Sequence, residues 1–366
     1  MKVLILSTYS QTGGAAIAAS RLLQALRKNG VEATMLCRRN ISWGPERLRK
    51  QSWSCVWERM AIWCLDGFSK TNLWTTDIAC CGQDITDTKE YKEADVVHLH
   101  WVNQGFLSFD TIGKIVKSGK RIVWTMHDEW PLDSIWHYTD GLSKAEKDKW
   151  IAQHVSEKKR KIYSSGNITF VTCSKWLKNM SEAKPLAEGQ DIVTIPNPID
   201  TEVFKPVGHK QRRCVLFVAQ KVNDERKGIK YLDAARELLD DIEVVALGRD
   251  IPYIHDKAEM AALYASVDVF VTPSLQDNLP NTIMEAMACG TPCVGFNVGG
   301  IPEMIDHKEN GYVARYKDAA DLAEGIRYVL DNSERLGKNA REKVMREYSE
   351  DVVAGKYIEI YAGKNS

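Results

Sequence analysis

At 366 residues, with 44% hydrophobic and 27% charged side chains, the chain exceeds the usual size of one hydrophobic core and reads as two globular domains. Forty-nine basic and forty-nine acidic residues cancel, which argues against a protein built to coat nucleic acid and makes any anion affinity local. Nine cysteines, an odd number without a repeated C-x-x-C pair, read as reduced thiols rather than a disulfide framework or a structural zinc site.

The opening residues, MKVLILSTYS, hold an apolar run of only four, too short for a signal-peptide core. No stretch approaches bilayer-spanning length, so the expected location is the cytoplasm. Short β-branched runs then alternate with helical patterns, the signature of parallel α/β sheets with crossover helices. Strands are expected at Val3–Ser7, Ala33–Cys37, Asp95–His100, Arg121–Met126, Ile168–Thr172 and Ile192–Pro196. A second series is expected at Cys214–Ala219, Ile242–Leu247, Val267–Thr272 and Pro292–Phe296. The segment between the series, Ile195–Arg213, carries three prolines and reads as a linker. From Asp318 to Ala362 the composition is helical. The last helix, capped near Tyr348–Asp351, places Val353, Tyr357, Ile358 and Tyr361 on one face.

Ligands of open α/β sheets bind beyond the carboxyl ends of the strands, and two such sheets facing each other would form a cleft. The candidate motifs fall at those ends. After the first strand, Gly13 and Gly14 open an Ala-rich helix and remove side chains where a diphosphate would approach the backbone, although by themselves they read more readily as a tight turn. The third and fourth strands end in HLHWVN (98–103) and WTMHDEW (124–130). His98 alternates into its strand as a buried residue, whereas His100, Trp101, His127 and Asp128 stand at the exits, where imidazoles orient sugar hydroxyls and an indole faces a pyranose. Lys221 and Lys227 lie six apart in the loop after Cys214–Ala219 and suit a diphosphate leaving group, or else form a solvated charge run.

The stretch TPSLQDNLPNTIMEAMACG (272–290) sets Asp277 and Glu285 around a helix start. Pro280 is expected in the first turn, after Asn278 or Leu279, with Ile283, Met284, Met287 and Ala288 forming the apolar stripe. Asn278, Leu279 and Asn281 then line a helix N-terminus fit for phosphate or sugar hydroxyls, with a carboxylate on each side. Earlier, in PERLRKQSWSCVWERMAIWCL (45–65), Trp53, Val56, Trp57, Met60 and Cys64 recur at helical spacing beside Arg47, Arg49, Lys50 and Arg59. That stripe suits packing on the first sheet, as a crossover helix requires. An anionic membrane surface is the second reading.

Taken together, these motifs resemble glycosyltransferase family 4, the "group 1" enzymes of GT-B fold, and within them those of bacterial capsular or exopolysaccharide synthesis. The resemblance covers nearly the whole chain: the glycine loop, the His127 strand end, the linker closing at Phe204–Pro206, the lysine loop and the spaced carboxylates occur in family order. It implies an α/β protein of two facing Rossmann-like domains. Residues 1–196, with a terminal helix at 348–366 crossing back, would form the acceptor domain, and residues 197–347 the nucleotide-sugar donor domain. It further implies retaining transfer of a hexose from a nucleoside-diphosphate sugar to a glycan acceptor, expected to be lipid-linked. His127, Asp277 and Glu285 would be catalytic, Lys221 and Lys227 would hold phosphates, and no cofactor is implied. No D-x-D triplet occurs, so no metal ligand set is evident. The family's first Glu is Asp277, its loop Arg is Lys221, and its Phe-Gly reads Leu279-Pro280. Where polysaccharide-branch relatives often carry a cysteine cluster, this chain has SIWHYTD (134–140), a difference that bears on acceptor specificity more than on catalysis. A GT-B nucleotide-sugar epimerase and a catalytically silent sugar-binding partner are the alternatives.

Overall fold

The computed structural model describes residues 1–39, 53–147, 149–208, 214–219, 224–239, 242–252 and 254–363. Two compact units form, Met1–Ile195 with Ala354–Ser366, and Pro196–Val353. In the first, β1 (Lys2–Ser7), β2 (Glu32–Cys37), β3 (Val96–Leu99), β4 (Arg121–Met126), β5 (Ile168–Thr172) and β6 (Asp191–Thr194) run parallel in the order β2-β1-β3-β4-β5-β6. All four residues of β3 are buried, as in a parallel strand covered on both faces. The β1–β2 crossover is the helix Gly14–Lys28, whose buried Ala16, Ala18, Ala19, Leu22, Ala25 and Leu26 form its core-facing side. Trp124 of β4 stacks on Phe170 of β5 at 5.9 Å in the centre of this core.

The second sheet contains β7 (Cys214–Val218), β8 (Glu243–Leu247), β9 (Val269–Thr272), β10 (Cys293–Phe296) and β11 (Gly311–Ala314), in the order β11-β10-β9-β7-β8, again parallel. Every expected strand is present, with ends shifted by a residue or two. The sequence reading missed β11. It is a four-residue edge strand that opens on a glycine, and a Cβ on Gly311 would lie 2.3 Å from the Cys293 carbonyl.

The expected linker begins where the two units divide, and its described part is packed: Ile199 is fully buried and its amide donates to Tyr348 O (2.9 Å), and Arg341 donates to the carbonyls of Phe204 and Ala288 at 2.6 Å each. It is a strap bound into the second unit. The helix Ser54–Leu65 does not turn its tryptophan stripe toward the sheet, because Glu58 and Arg59 occupy its inner face. Arg47, Arg49 and Lys50 lie outside the described residues.

The final helix, Glu350–Tyr361, carries two buried phenols into the first unit. Tyr357 Oη and Thr125 Oγ1 are 2.8 Å apart, and Tyr361 Oη and His98 Nδ1 are 2.7 Å apart. Tyr361→Phe keeps the ring but strips a fully buried imidazole nitrogen of its partner, so it should destabilise the protein by about 1–3 kcal/mol. Urea denaturation checks this, and an unchanged midpoint would refute the role assigned to the bond.

Candidate functional site

Strand order reverses between β1 and β3 in the first sheet and between β7 and β9 in the second. Loops leaving adjacent strands at such a point diverge and open a crevice at the carboxyl edge. Most of the candidate residues lie at these two points or beside them.

At the first, Gly13 adopts φ 88°, with no atom within 4 Å of where a Cβ would stand, and Gly14 begins the helix. Beyond β3, Trp101 stacks with Tyr9 from the β1 end, ring centroids 6.3 Å apart. His98 is wholly buried between Tyr361 and Thr125, as expected. His100 is buried too, contrary to its expected place at the exit. Its Nδ1 lies 3.0 Å from His127 Nε2, which leaves His127 as the partly exposed member of the pair. Cys173 Sγ approaches His127 Nδ1 at 3.7 Å. Burial lowers the pKa of His98 to about 3 and of His127 to about 4, and Asp128 partly opposes the second shift. These imidazoles are neutral at pH 7 and exchange hydrogen bonds rather than charge.

Asp128, expected to meet a sugar, is buried and engaged: Oδ2 accepts from Trp101 Nε1 (3.0 Å) and His137 Nδ1 (2.7 Å), and Oδ1 from the Trp130 amide (3.1 Å). These bonds tie Trp101 to the loop after β4. His137 Nε2 donates to Asp77 Oδ2 at 2.7 Å, and Asp77 Oδ1 also takes the Arg59 guanidinium and the Gln104 amide. Burial by itself would lower the pKa of His137, but the carboxylates of Asp128 and Asp77 prevail and raise it to about 10. Sequence reasoning passed over Asp77 and His137. The available signal was their setting, one charged or ionisable residue in each of the apolar and aromatic runs around Ile78 and Trp136.

In the second unit, Asp224 caps the short turn Glu225–Lys227, and Gly228 follows at φ 69°. A Cβ on Gly228 would sit 1.8 Å from Pro273 O, and the Leu275 amide donates to Arg226 O at 2.7 Å, so the β7 and β9 loops touch through backbone. Across that contact Lys227 Nζ meets Asp277 Oδ2 at 2.7 Å. Gly299, at φ 59°, presses from the other side, its missing Cβ 1.8 Å from Asp277 O. The sequence reading did not use this glycine. Pro280 takes the cap of the helix Asn281–Ala288 instead of its first turn, since its ψ of 117° is extended; proline fixes only φ. Leu279 and Asn278 are buried, and Asn281 Oδ1 accepts from Asn197 Nδ2 at 3.4 Å. Glu285, on the helix, accepts from Tyr264 Oη at 3.1 Å and remains partly exposed. Lys221 lies outside the described residues. Among the described residues no three metal-ligating side chains converge.

Two parallel Rossmann-like sheets, each with polar side chains gathered around its switch point, define the GT-B class of sugar-nucleotide proteins. Residues 12–203 match the family described as Glycosyltransferase Family 4, and residues 212–332 match glycosyl transferases group 1. The chain belongs to glycosyltransferase family 4.

Similar solved structures include the sucrose-phosphate synthase of Thermosynechococcus elongatus, 17% identical with a TM-score of 0.68 over 99% of this chain and 98% of that one. Another is Anabaena HepE in complex with UDP and glucose, 13% identical with a TM-score of 0.63 over 99% of both chains. Among curated proteins, the N-acetyl-alpha-D-glucosaminyl L-malate synthase of Bacillus anthracis is 32% identical over 30% of this chain and 29% of its own length. A Campylobacter jejuni N,N'-diacetylbacillosaminyl-diphospho-undecaprenol alpha-1,3-N-acetylgalactosaminyltransferase is 28% identical over 43% of this chain and 46% of its own. The chain spans less than half the length of either curated relative.

The His137 bridge gives a pH signature. Its pKa rises from 6.5 to about 10 on folding, so its stabilisation is complete below pH 6.5 and is lost as pH climbs through 10. Thermal midpoints should therefore fall between about pH 7 and 10 in the wild type. His137→Gln should be less stable at pH 7, with a flatter decline. Parallel declines in the two proteins would show that the imidazolium carries none of the effect.

Proposed function

We propose that the protein moves a hexose from a nucleoside-diphosphate sugar to a glycan acceptor carried on a lipid, with retention of anomeric configuration and without a metal, in cell-surface polysaccharide synthesis. The observation that carries this reading is the Lys227–Asp277 pair at the β7/β9 switch point. It sets a cation for phosphate beside a carboxylate for sugar hydroxyls. The pair is partly exposed, and an exposed ion pair holds with only about 0–1 kcal/mol, so a diphosphate can take the ammonium without a large penalty. Lys221 would add a second positive charge, and Glu285 would hold ribose hydroxyls. The Campylobacter relative's name specifies an undecaprenyl-diphosphate acceptor, and HepE was solved with UDP and glucose; both fit the donor and acceptor classes proposed.

In this scheme charge develops on the leaving β-phosphate while the sugar acquires oxocarbenium character, and the task of the protein is to neutralise the first and orient the second. Lys227 and the N-terminus of Asn281–Ala288 answer the phosphate charge. Neutral His127, backed by His100, offers a hydrogen bond to the sugar at the reacting centre, and the Gly13–Gly14 turn allows close backbone approach. Asp277 and Glu285 set the register of the donor. The acceptor attacks on the leaving-group face.

A thermal-shift screen of UDP-, GDP- and ADP-sugars identifies the donor. Ligand at a hundred times its dissociation constant should add about 2.7 kcal/mol. Glu285→Ala should keep the fold and weaken donor binding by about 1.5–3 kcal/mol; unchanged affinity would remove Glu285 from the site. Asp277→Glu should transfer sugar and Asp277→Asn should not. Equal transfer by both would make the carboxylate structural. Donor turnover measured with and without acceptor separates transfer from epimerisation and from silent binding.

A further inference from the structure

The loop between Ile78 and Asp84 brings two adjacent thiols to the surface and pins the backbone on either side of them. Ala79 is bonded at both ends: its amide donates to Glu58 Oε1 at 2.7 Å, and its carbonyl accepts from the Phe109 amide at 3.0 Å. Its φ of 45° is left-handed, which a residue with a side chain adopts only where its surroundings impose it. Gly82 passes so close to Ser108, the cap of the helix Phe109–Val116, that no Cβ fits between them. The Gln83 amide then donates to Phe106 O at 2.7 Å, and Gln83 Nε2 to Arg38 O at 3.1 Å. Between these anchors stand Cys80, exposed, and Cys81, half-buried, their sulfurs 3.6 Å apart. Cys37, Cys173, Cys214, Cys289 and Cys293 are buried.

Neighbouring residues have Cα atoms only about 3.8 Å apart, short of the roughly 4.4–6.8 Å that ordinary disulfides span. A bond between Cys80 and Cys81 would therefore be strained, and strained, exposed disulfides are the readily reduced ones that serve exchange rather than stability. The two thiols are not equivalent. Partial burial, with the Cys81 sulfur and the Glu58 carboxylate beside it, pushes the Cys80 thiol up to about 12, and Cys80 donates its S–H to Cys81. Cys81 is thus the sulfur left to attack first, while Cys80 keeps a proton for a leaving group.

We propose that Cys80 and Cys81 form a redox site for small-molecule disulfides, which close it to a vicinal disulfide, and for thiols, which reopen it. The Cys81 thiolate, its proton given to solvent, attacks one sulfur of the oxidant RSSR; a Cys81–SR bond forms, the S–S bond of the oxidant breaks, and RS⁻ leaves and takes a proton from solvent. Cys80 Sγ then attacks Cys81 Sγ, the Cys81–SR bond breaks, and the second RS⁻ takes the Cys80 proton. Two protein thiols and one RSSR give one protein disulfide and two RSH. The second step joins sulfurs already side by side, so it outruns attack by a second oxidant molecule. The inference is independent of donor and acceptor, because it rests on this loop alone.

The test is titration of the reduced full chain with glutathione disulfide, followed by trypsin and mass spectrometry. Cleavage after Lys70 and Lys89 releases a peptide in which Cys80 and Cys81 are the two cysteines. In wild type this peptide should become lighter by two hydrogens and regain them with dithiothreitol. Cys80→Ser should stop at one glutathionyl group on Cys81, at about ten times or more the level that wild type holds. Circular dichroism melts confirm that the variant folds, and the wild-type mass change needs no substitution. A wild-type peptide that stays reduced where the exposed Cys64 reacts would overturn the proposal. So would a peptide that carries two glutathionyl groups, or a bond from Cys80 or Cys81 to another cysteine.

Discussion

The first unit is organised around one buried imidazolium, His137, held between the carboxylates of Asp77 and Asp128. The ring bonds both carboxylates, and Arg59 adds a second cation at Asp77. From this point constraints run outward in two directions. Through Asp128 the bridge fixes Trp101 and the loop after β4 that presents His127. Through Asp77 it fixes Arg59, and with Arg59 the rotation of a helix whose tryptophans must then face away from the core. A site side chain and an exposed surface therefore depend on one proton.

The second unit reaches its geometry by removing side chains rather than pairing charges. Gly228 and Gly299 let the Pro273–Asp277 loop pass between two turns at distances no Cβ permits. That close approach brings Lys227 from the β7 end to Asp277 at the β9 end. The charge pair could not form across a wider gap. A rigid backbone frame with a weak, partly exposed ion pair suits a ligand that must replace one of its partners.

The first unit thus holds a preorganised neutral histidine pair, and the second a partly exposed ion pair. His100 bonds one ring nitrogen of His127 and Cys173 approaches the other, which sets the orientation of the ring. In the proposed transfer reaction, such preorganised surroundings would hold a group that hydrogen-bonds to the sugar. They also explain why the terminal helix matters at the first switch point: its Tyr361 and Tyr357 close the far side of the histidine stack.

By itself the sequence determined the alternation of strands and crossovers, the series break near Ile195, the two glycine-led and lysine-led loops and the spacing of Asp277 to Glu285. Those features are local: β-branched runs, prolines, glycines and helical periodicity act within a few residues of themselves. Only the tertiary structure decided that His100 is buried while His127 is partly exposed, that Asp128 bonds Trp101 and His137, and that Lys227 pairs with Asp277. It also decided the helix Ser54–Leu65, where periodicity gave a stripe of tryptophans without saying which way it faced. A stripe packs inward unless something on the opposite face has a stronger claim on the interior. Here Arg59 did, through a carboxylate eighteen residues along the chain at Asp77, itself held by a histidine sixty residues further on. Pairings across such separations leave no periodic trace in the sequence, because their energy appears only once the chain has closed around the charges.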